Sequence, residues 1–312
     1  MKCIIVKREV VFIISFEKLR EYQLKRLVKK TFRKIFMERK ILDSEGYMPV
    51  VSKIELLENG ISLFINLRGV CSYGEFESNL DYIKTVFKVY MLDFKLIEGD
   101  YKLIMYLDQL EVKSYSKVTL EPYELLLGYN YQGNIIVDMR ETPHLLISGL
   151  SGQGKTYMAK TIIKNLEGSA DIILINAFKS DFKDFKGRLV LEEGNILLKL
   201  KILLESKIER NKPMYIFIDE LLTLTKNKEI NKIIMELLAV ARHYNIFIVG
   251  IAQEGTKENL KFKNLFNARV CFKLIEDSSY KAILGCSVQD QLTKQEFYLY
   301  SNGLYRGRTF QV

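Results

Sequence analysis

The eight residues Gly149-Leu150-Ser151-Gly152-Gln153-Gly154-Lys155-Thr156 constrain this chain more than any other stretch of it. They fit the pattern G-x-x-x-x-G-K-[ST]. In that pattern the glycines let the backbone curl until its N–H groups face an anion, and the lysine supplies a cation. The flanks sharpen the reading. His144-Leu-Leu-Ile-Ser148 is a short apolar run of strand character, and Thr156–Leu166 has helical spacing. A strand running through such a loop into a helix is a phosphate-binding loop: Lys155 faces the β- and γ-phosphates of ATP and the Thr156 hydroxyl faces Mg²⁺.

That loop opens a region of alternating elements. Strands are expected at 144–148, 171–176, 214–219, 246–252 and 269–275. Helices are expected at 154–166, 193–206 and 228–243. The alternation predicts an α/β fold with a mainly parallel sheet covered on both faces, which the phosphate loop makes a P-loop NTPase. Tyr215-Ile-Phe-Ile218 and Ile246-Phe-Ile-Val249 are the unbroken apolar runs of doubly covered strands. Phe297–Tyr300 and Leu304–Val312, split by Ser301-Asn302-Gly303, read as a closing hairpin.

The run Met214–Ile218 leads into Asp219-Glu220 at the C-terminal end of its strand, the edge that faces ligand in a parallel sheet. Adjacent side chains diverge, so two carboxylates in sequence can do two tasks: Asp219 to hold Mg²⁺, Glu220 to polarise the attacking water. Gln253 ends the next strand with a polar group suited to the γ-phosphate or that water. Arg242 and Arg269 are candidates for a guanidinium reaching a neighbouring subunit's nucleotide. His144 and His243 carry no metal-ligand pattern, and His144 reads as a packed strand-start residue.

Ahead of this region the chain is different. The net charge of +9 sits entirely in residues 1–40, which hold 13 Lys and Arg against 4 Glu, while the remainder balances. An anionic partner, nucleic acid or a membrane surface, is implied. Strands are expected at 3–6 and 10–16. From Glu17 to Ile41 the apolar residues Leu24, Leu27, Val28, Phe32, Ile35 and Phe36 fall on one helical face, with lysines and arginines around the rest. Val50–Leu57 and Gly60–Leu67 flank an Asn59-Gly60 hairpin signal. A helix over 75–90 and strands Leu92–Glu98 and Tyr101–Leu107 complete a ββαββ order. The expected organisation is a basic segment 1–42, a small α+β domain 43–115, and a motor domain 116–312.

No apolar run approaches the ~20 residues of a membrane span, and charges interrupt the first residues where a signal peptide would be apolar. The scattered Cys3, Cys71, Cys271 and Cys286 have no metal or disulfide spacing, which fits a reducing, cytoplasmic setting with recruitment to the membrane through a partner.

The ordered motifs resemble those of the FtsK/SpoIIIE DNA-translocase motors. Thr142-Pro-His-Leu-Leu-Ile-Ser-Gly149 running into the loop is similar to that family's PHLLVAGxTGSGKS. Leu127-Gly128 with Gly133 resembles its lead-in, and Ile173-Leu-Ile-Asn-Ala-Phe-Lys179 its second strand. Ile216-Phe-Ile-Asp-Glu220 resembles its Walker B strand, and Ala241–Gln253 its GRxxGIHLIxATQRP segment. Asn267-Ala-Arg-Val270 and Arg308–Val312 resemble its later strands. Four departures stand out. Asn176 replaces an Asp, Glu254-Gly255 follows Gln253 in place of Arg-Pro, the family's Asp-Ser-Arg triplet is not reproduced at 277–280, and no winged-helix module follows. The resemblance implies a RecA-like P-loop NTPase fold and an ATP- and Mg²⁺-dependent double-stranded DNA translocase assembled as a homo-hexamer, with DNA choice left to a sequence-reading or relaxase-type partner, in transfer or maintenance of a mobile element. It also leaves open an FtsK-like ATPase of protein secretion and a nucleotide-gated DNA-binding assembly factor.

Overall fold

The computed structural model describes residues 16–67, 69–206, 208–253, 263–288 and 292–312. The strands expected over 3–6 and 10–16 lie outside these residues but for Phe16, and so does Glu254-Gly255. The chain divides into two compact units that meet in sequence between Gln109 and Leu110.

In the first unit, helix α1 (Phe16–Glu38) turns Val28, Phe32, Ile35 and Phe36 into a core. That core is shared with an antiparallel sheet of β1 (Val50–Leu57), β2 (Gly60–Asn66), β3 (Met91–Ile97) and β4 (Asp100–Tyr106), in the order β1-β2-β4-β3. The basic helix is therefore part of this unit's core and not a separate segment. The helix expected over 75–90 is two: α2 (Tyr73–Glu77) and α3 (Leu80–Phe87). The break has a local cause. The Ser78 hydroxyl and the Asn79 amide both donate to the Glu75 carbonyl, and such short polar side chains compete with the helical ladder. Ser72 starts α2 with a capping box to Glu75.

The second unit is built on a ten-stranded sheet. It comprises β5 (Glu124–Asn130), β6 (Gly133–Asp138), β7 (Leu145–Ser148), β8 (Asp171–Ile175), β9 (Arg188–Val190), β10 (Met214–Ile218), β11 (Ile246–Ala252), β12 (Ala268–Phe272), β13 (Glu296–Tyr300) and β14 (Leu304–Arg308). Their order is β6-β5-β14-β13-β12-β7-β11-β10-β8-β9. The six strands from β12 to β9 are parallel, and the other four join antiparallel. The hairpin β5–β6 stands where strand–helix alternation offered no element. Lys113–Tyr115 pair with Gln311, which ties 110–115 to this unit and moves the boundary ahead of the expected 115.

Both faces of the parallel strands are covered. Leu145, Ile147, Tyr215, Phe217 and Val249 pack on one side with Met158 and Ile162 of α4 (Lys155–Leu166). Leu146, Ile216, Ile218 and Ile248 pack on the other with α5 (Glu193–Glu205) and α7 (Lys228–Val240). Short helices α6 (Leu221–Leu224) and α8 (Asp277–Leu284) complete the set. Alternate residues of one strand feed opposite cores, which is why the strands read as continuous apolar runs. The helix expected to 243 ends at Val240. A 3-10 turn, Ala241–Tyr244, then leads to Asn245, whose left-handed backbone closes the helix as a cap.

Candidate functional site

The C-terminal ends of β7, β10 and β11 lie side by side, since β11 pairs with β7 on one side and β10 on the other. Each sequence-marked group of the nucleotide motif stands at one of these ends.

Between Ser148 and α4 the loop turns on left-handed glycines. At Gly149 (φ 150°) a Cβ would come within 2.6 Å of the Phe272 Cβ, and at Gly154 (φ 125°) within 2.9 Å of the Phe272 ring. Only glycine allows both the dihedral and the approach. Leu150 N–H donates to the Lys273 carbonyl at 3.0 Å, and Gln295 N–H donates to the Gln153 carbonyl at 2.9 Å. The loop is thus fastened to β12 on one flank and to the start of β13 on the other. The N–H groups of Gly152 through Thr156 find no acceptor among the described residues, and α4 begins without a side-chain cap. The Lys155 ammonium bends back to donate to the Gly149 and Leu150 carbonyls, at 2.7 and 2.9 Å.

Asp219 and Glu220 follow β10. Asp219 N–H donates to the Ile175 carbonyl at 2.9 Å, its own carbonyl accepts from the Asn176 amide at 3.2 Å, and its Oδ1 accepts from Glu220 N–H at 3.0 Å. Glu220 is itself left-handed (φ 49°), as is Asn176 (φ 59°). Two successive left-handed turns at neighbouring strand ends are the kind of strain that functional sites retain. The Gln253 amide donates to Glu220 Oε1 at 2.7 Å, and the Ser148 hydroxyl donates to the Gln253 carbonyl at 3.3 Å.

The electrostatics follow from burial. Asp219 is pushed up to about 6, first by burial and then by the nearby carboxylates of Glu220 and Asp181, against the Glu220 N–H bond and the Lys155 charge. Burial also lowers Lys155, opposed by Glu220 and Asp219. A half-buried cation bonded to neutral carbonyls, a run of N–H groups with no acceptor among the described residues and a carboxylate held above its usual range are the chemistry that suits a polyanion and a cation. A nucleotide triphosphate fits the first need, and a divalent ion fits the second, with Thr156 and Asp219 as the residues that could hold it.

The arginines stand elsewhere. Arg242 lies exposed in the 3-10 turn before β11, at the opposite edge of the sheet. Arg269 pairs with Leu146, part-way down the sheet. Its guanidinium donates to the Ile283 carbonyl at 3.1 Å and lies 4.8 Å from the Tyr300 ring centre. A trans-acting role asks for a side chain free to leave its own chain, and Arg269 is not free. His144 is packed as expected: it is buried, and its Nδ1 accepts from Ile248 N–H at 3.0 Å. Three contributors were not visible in the sequence: Ser148, Asn176, which stood out only as a departure from Asp, and the Gln295 N–H clamp.

The model of the ATPase family associated with various cellular activities (AAA) matches residues 145–273, from β7 to the residue after β12. The FtsK domain-containing protein YdcQ of Bacillus subtilis (strain 168) is 26% identical over 187 residues, 49% of this chain and 39% of that protein. The match therefore spans well under half of that relative's length. Among solved structures, the pCW3 conjugation coupling protein TcpA, monomer form with ATPgS, aligns with a TM-score of 0.60 at 15% identity, over 90% of this chain and 94% of that one. ATPases 2 and 3 of Thermomonospora curvata EccC, in complex with a signal sequence peptide, align with a TM-score of 0.53 at 12% identity, over 66% and 44%. Among the described residues no helix is long and apolar enough to cross a membrane. With its phosphate loop and carboxylate pair at one edge of a RecA-like sheet, the chain has the fold and the nucleotide motifs of a P-loop ATPase and resembles the FtsK/SpoIIIE-type motors.

Proposed function

We propose that this ATPase translocates double-stranded DNA, in the transfer or maintenance of a mobile element. The observation that carries the reading is the fold likeness to a conjugation coupling protein along nearly the whole of both chains, small unit included. The basic charge concentrated in residues 1–40 supports a polyanionic partner.

In this reading Lys155 exchanges its two loop carbonyls for the β- and γ-phosphates, and the free N–H groups of Gly152–Thr156 close on the same oxygens. Thr156 and Asp219 hold Mg²⁺, which supplies charge neutralisation at the phosphates. Glu220 orients the attacking water. Gln253, which grips Glu220 Oε1, sets when that carboxylate is available and couples it to the strand beside the loop. Arg242, exposed at the far edge, is the arginine able to serve a neighbouring subunit in a homo-hexamer. DNA contacts through phosphate make binding tolerant of sequence and steeply weaker with salt.

Displacement of a triplex-forming strand from duplex DNA tests it. ATP-dependent displacement is expected, and duplex binding without displacement points instead to an assembly factor. The EccC likeness favours a second reading, a protein-secretion ATPase, but it covers 66% of this chain where the coupling protein covers 90%. ATP turnover indifferent to DNA would favour that alternative.

A further inference from the structure

At the edge of the second unit opposite the phosphate loop, an open groove of about 460 Å³ lies beside the first residues of β8, β9 and β10. It is lined by Lys186, Arg188 and Lys199 and walled by Ile172, Phe185 and Met214. Two carboxylates also line it, Glu167 and Asp171, the latter 3.6 Å from Lys212. Arg188 and Lys199 have no anionic partner among the described residues, and neither has Arg210, which stands close enough to add its charge to theirs. Burial, then the charges of Arg188 and Arg210, lower the Lys199 amine. Like charges gathered without a counterion destabilise a fold by mutual repulsion, so the cluster marks a place that an anion would complete.

The walls narrow the choice. A bare inorganic ion has no use for Ile172, Phe185 and Met214, and a concave groove of this size suits a small molecule with a few convergent polar contacts. Arginine and lysine together match a phosphate dianion better than a single carboxylate. We propose that this groove binds a small organic phosphate, its phosphate on Arg188 and Lys199 and its apolar body along Ile172, Phe185 and Met214. The site lies at the opposite end of the strands from the phosphate loop and does not depend on what the motor moves.

Phenyl phosphate is the probe, titrated calorimetrically against the whole chain. Arg188→Gln and Lys199→Gln are each expected to weaken binding at least about tenfold, as loss of a charge-assisted hydrogen bond does. Lys232→Ala on α7 is expected to leave it unchanged, with thermal unfolding confirming that each variant is folded. Benzyl alcohol, which keeps the ring and lacks the phosphate, is expected not to compete. The proposal is overturned if phenyl phosphate does not bind, if Lys155→Ala abolishes binding, or if all variants bind alike. Displacement by a short DNA duplex, which would make the groove a backbone contact, overturns it too.

Discussion

The two edges of the parallel sheet carry similar backbone conformations and different backbone pairing. At the N-terminal edge, His144 and Asn245 are left-handed, and the backbone beside them is paired. Asp171 N–H meets the Pro213 carbonyl, Met214 N–H meets that of Asn245, and Ala268 N–H meets that of His144. The Asn245 amide caps the Arg210 carbonyl at 2.6 Å. At the C-terminal edge, Asn176 and Glu220 are equally left-handed, but the N–H groups of Gly152–Thr156 find no acceptor among the described residues, and the half-buried Lys155 ammonium donates only to two loop carbonyls. Strain alone does not separate a working edge from a structural one; a run of unpaired backbone N–H groups beside a cation does, because such groups bind an anion together.

Substitutions that break this contrast should act in a fixed order. Lys155→Ala removes the cation that the free N–H groups surround. ATP turnover should fall about 10³-fold or more, with nucleotide binding lost in equilibrium titration. Glu220→Gln leaves the phosphate cradle intact, so ATP affinity should persist while single-turnover hydrolysis slows by about 10²- to 10³-fold.

The closed edge predicts a stability effect instead. Burial, reinforced by the charge of Arg242, holds His144 down to about 4. Its neutral form belongs to the folded chain, while the unfolded chain takes up a proton near the ordinary pKa of 6.5. Stability should therefore be full above about pH 6.5 and decline by roughly 3 kcal/mol as pH falls toward 4. Urea titrations across that range should show the slope, and His144→Phe should flatten it. The smallest effect belongs to Gln253→Ala, which frees Glu220 from its only amide partner among the described residues. A roughly tenfold lower kcat with ATP affinity kept is expected from steady-state kinetics. An unchanged kcat would reduce Gln253 to a packing residue.

Much of this architecture was legible in the residues. The phosphate loop, Asp219-Glu220 and Gln253 announce themselves because short-range pattern fixes each one at a strand end. The parallel strands follow from apolar runs buried on both faces. What escaped depends on partners distant in sequence. The hairpin β5–β6 joins the sheet through β14, far along the chain. Gln295 reaches the loop only once β13 is in place. Arg269 looks available in sequence, and only the fold brings Ile283 and Tyr300 to it. Ser78 and Asn79 split a helix by a local competition that periodicity does not register.

The account rests on an ATPase edge that serves a DNA motor, and ATP turnover by the whole chain with and without duplex DNA at low salt tests it most directly. Turnover that rises with duplex, and falls by about 10²- to 10³-fold in Glu220→Gln with or without DNA, is the predicted result. Turnover that ignores DNA at every concentration, or that is undiminished in Glu220→Gln, would contradict it.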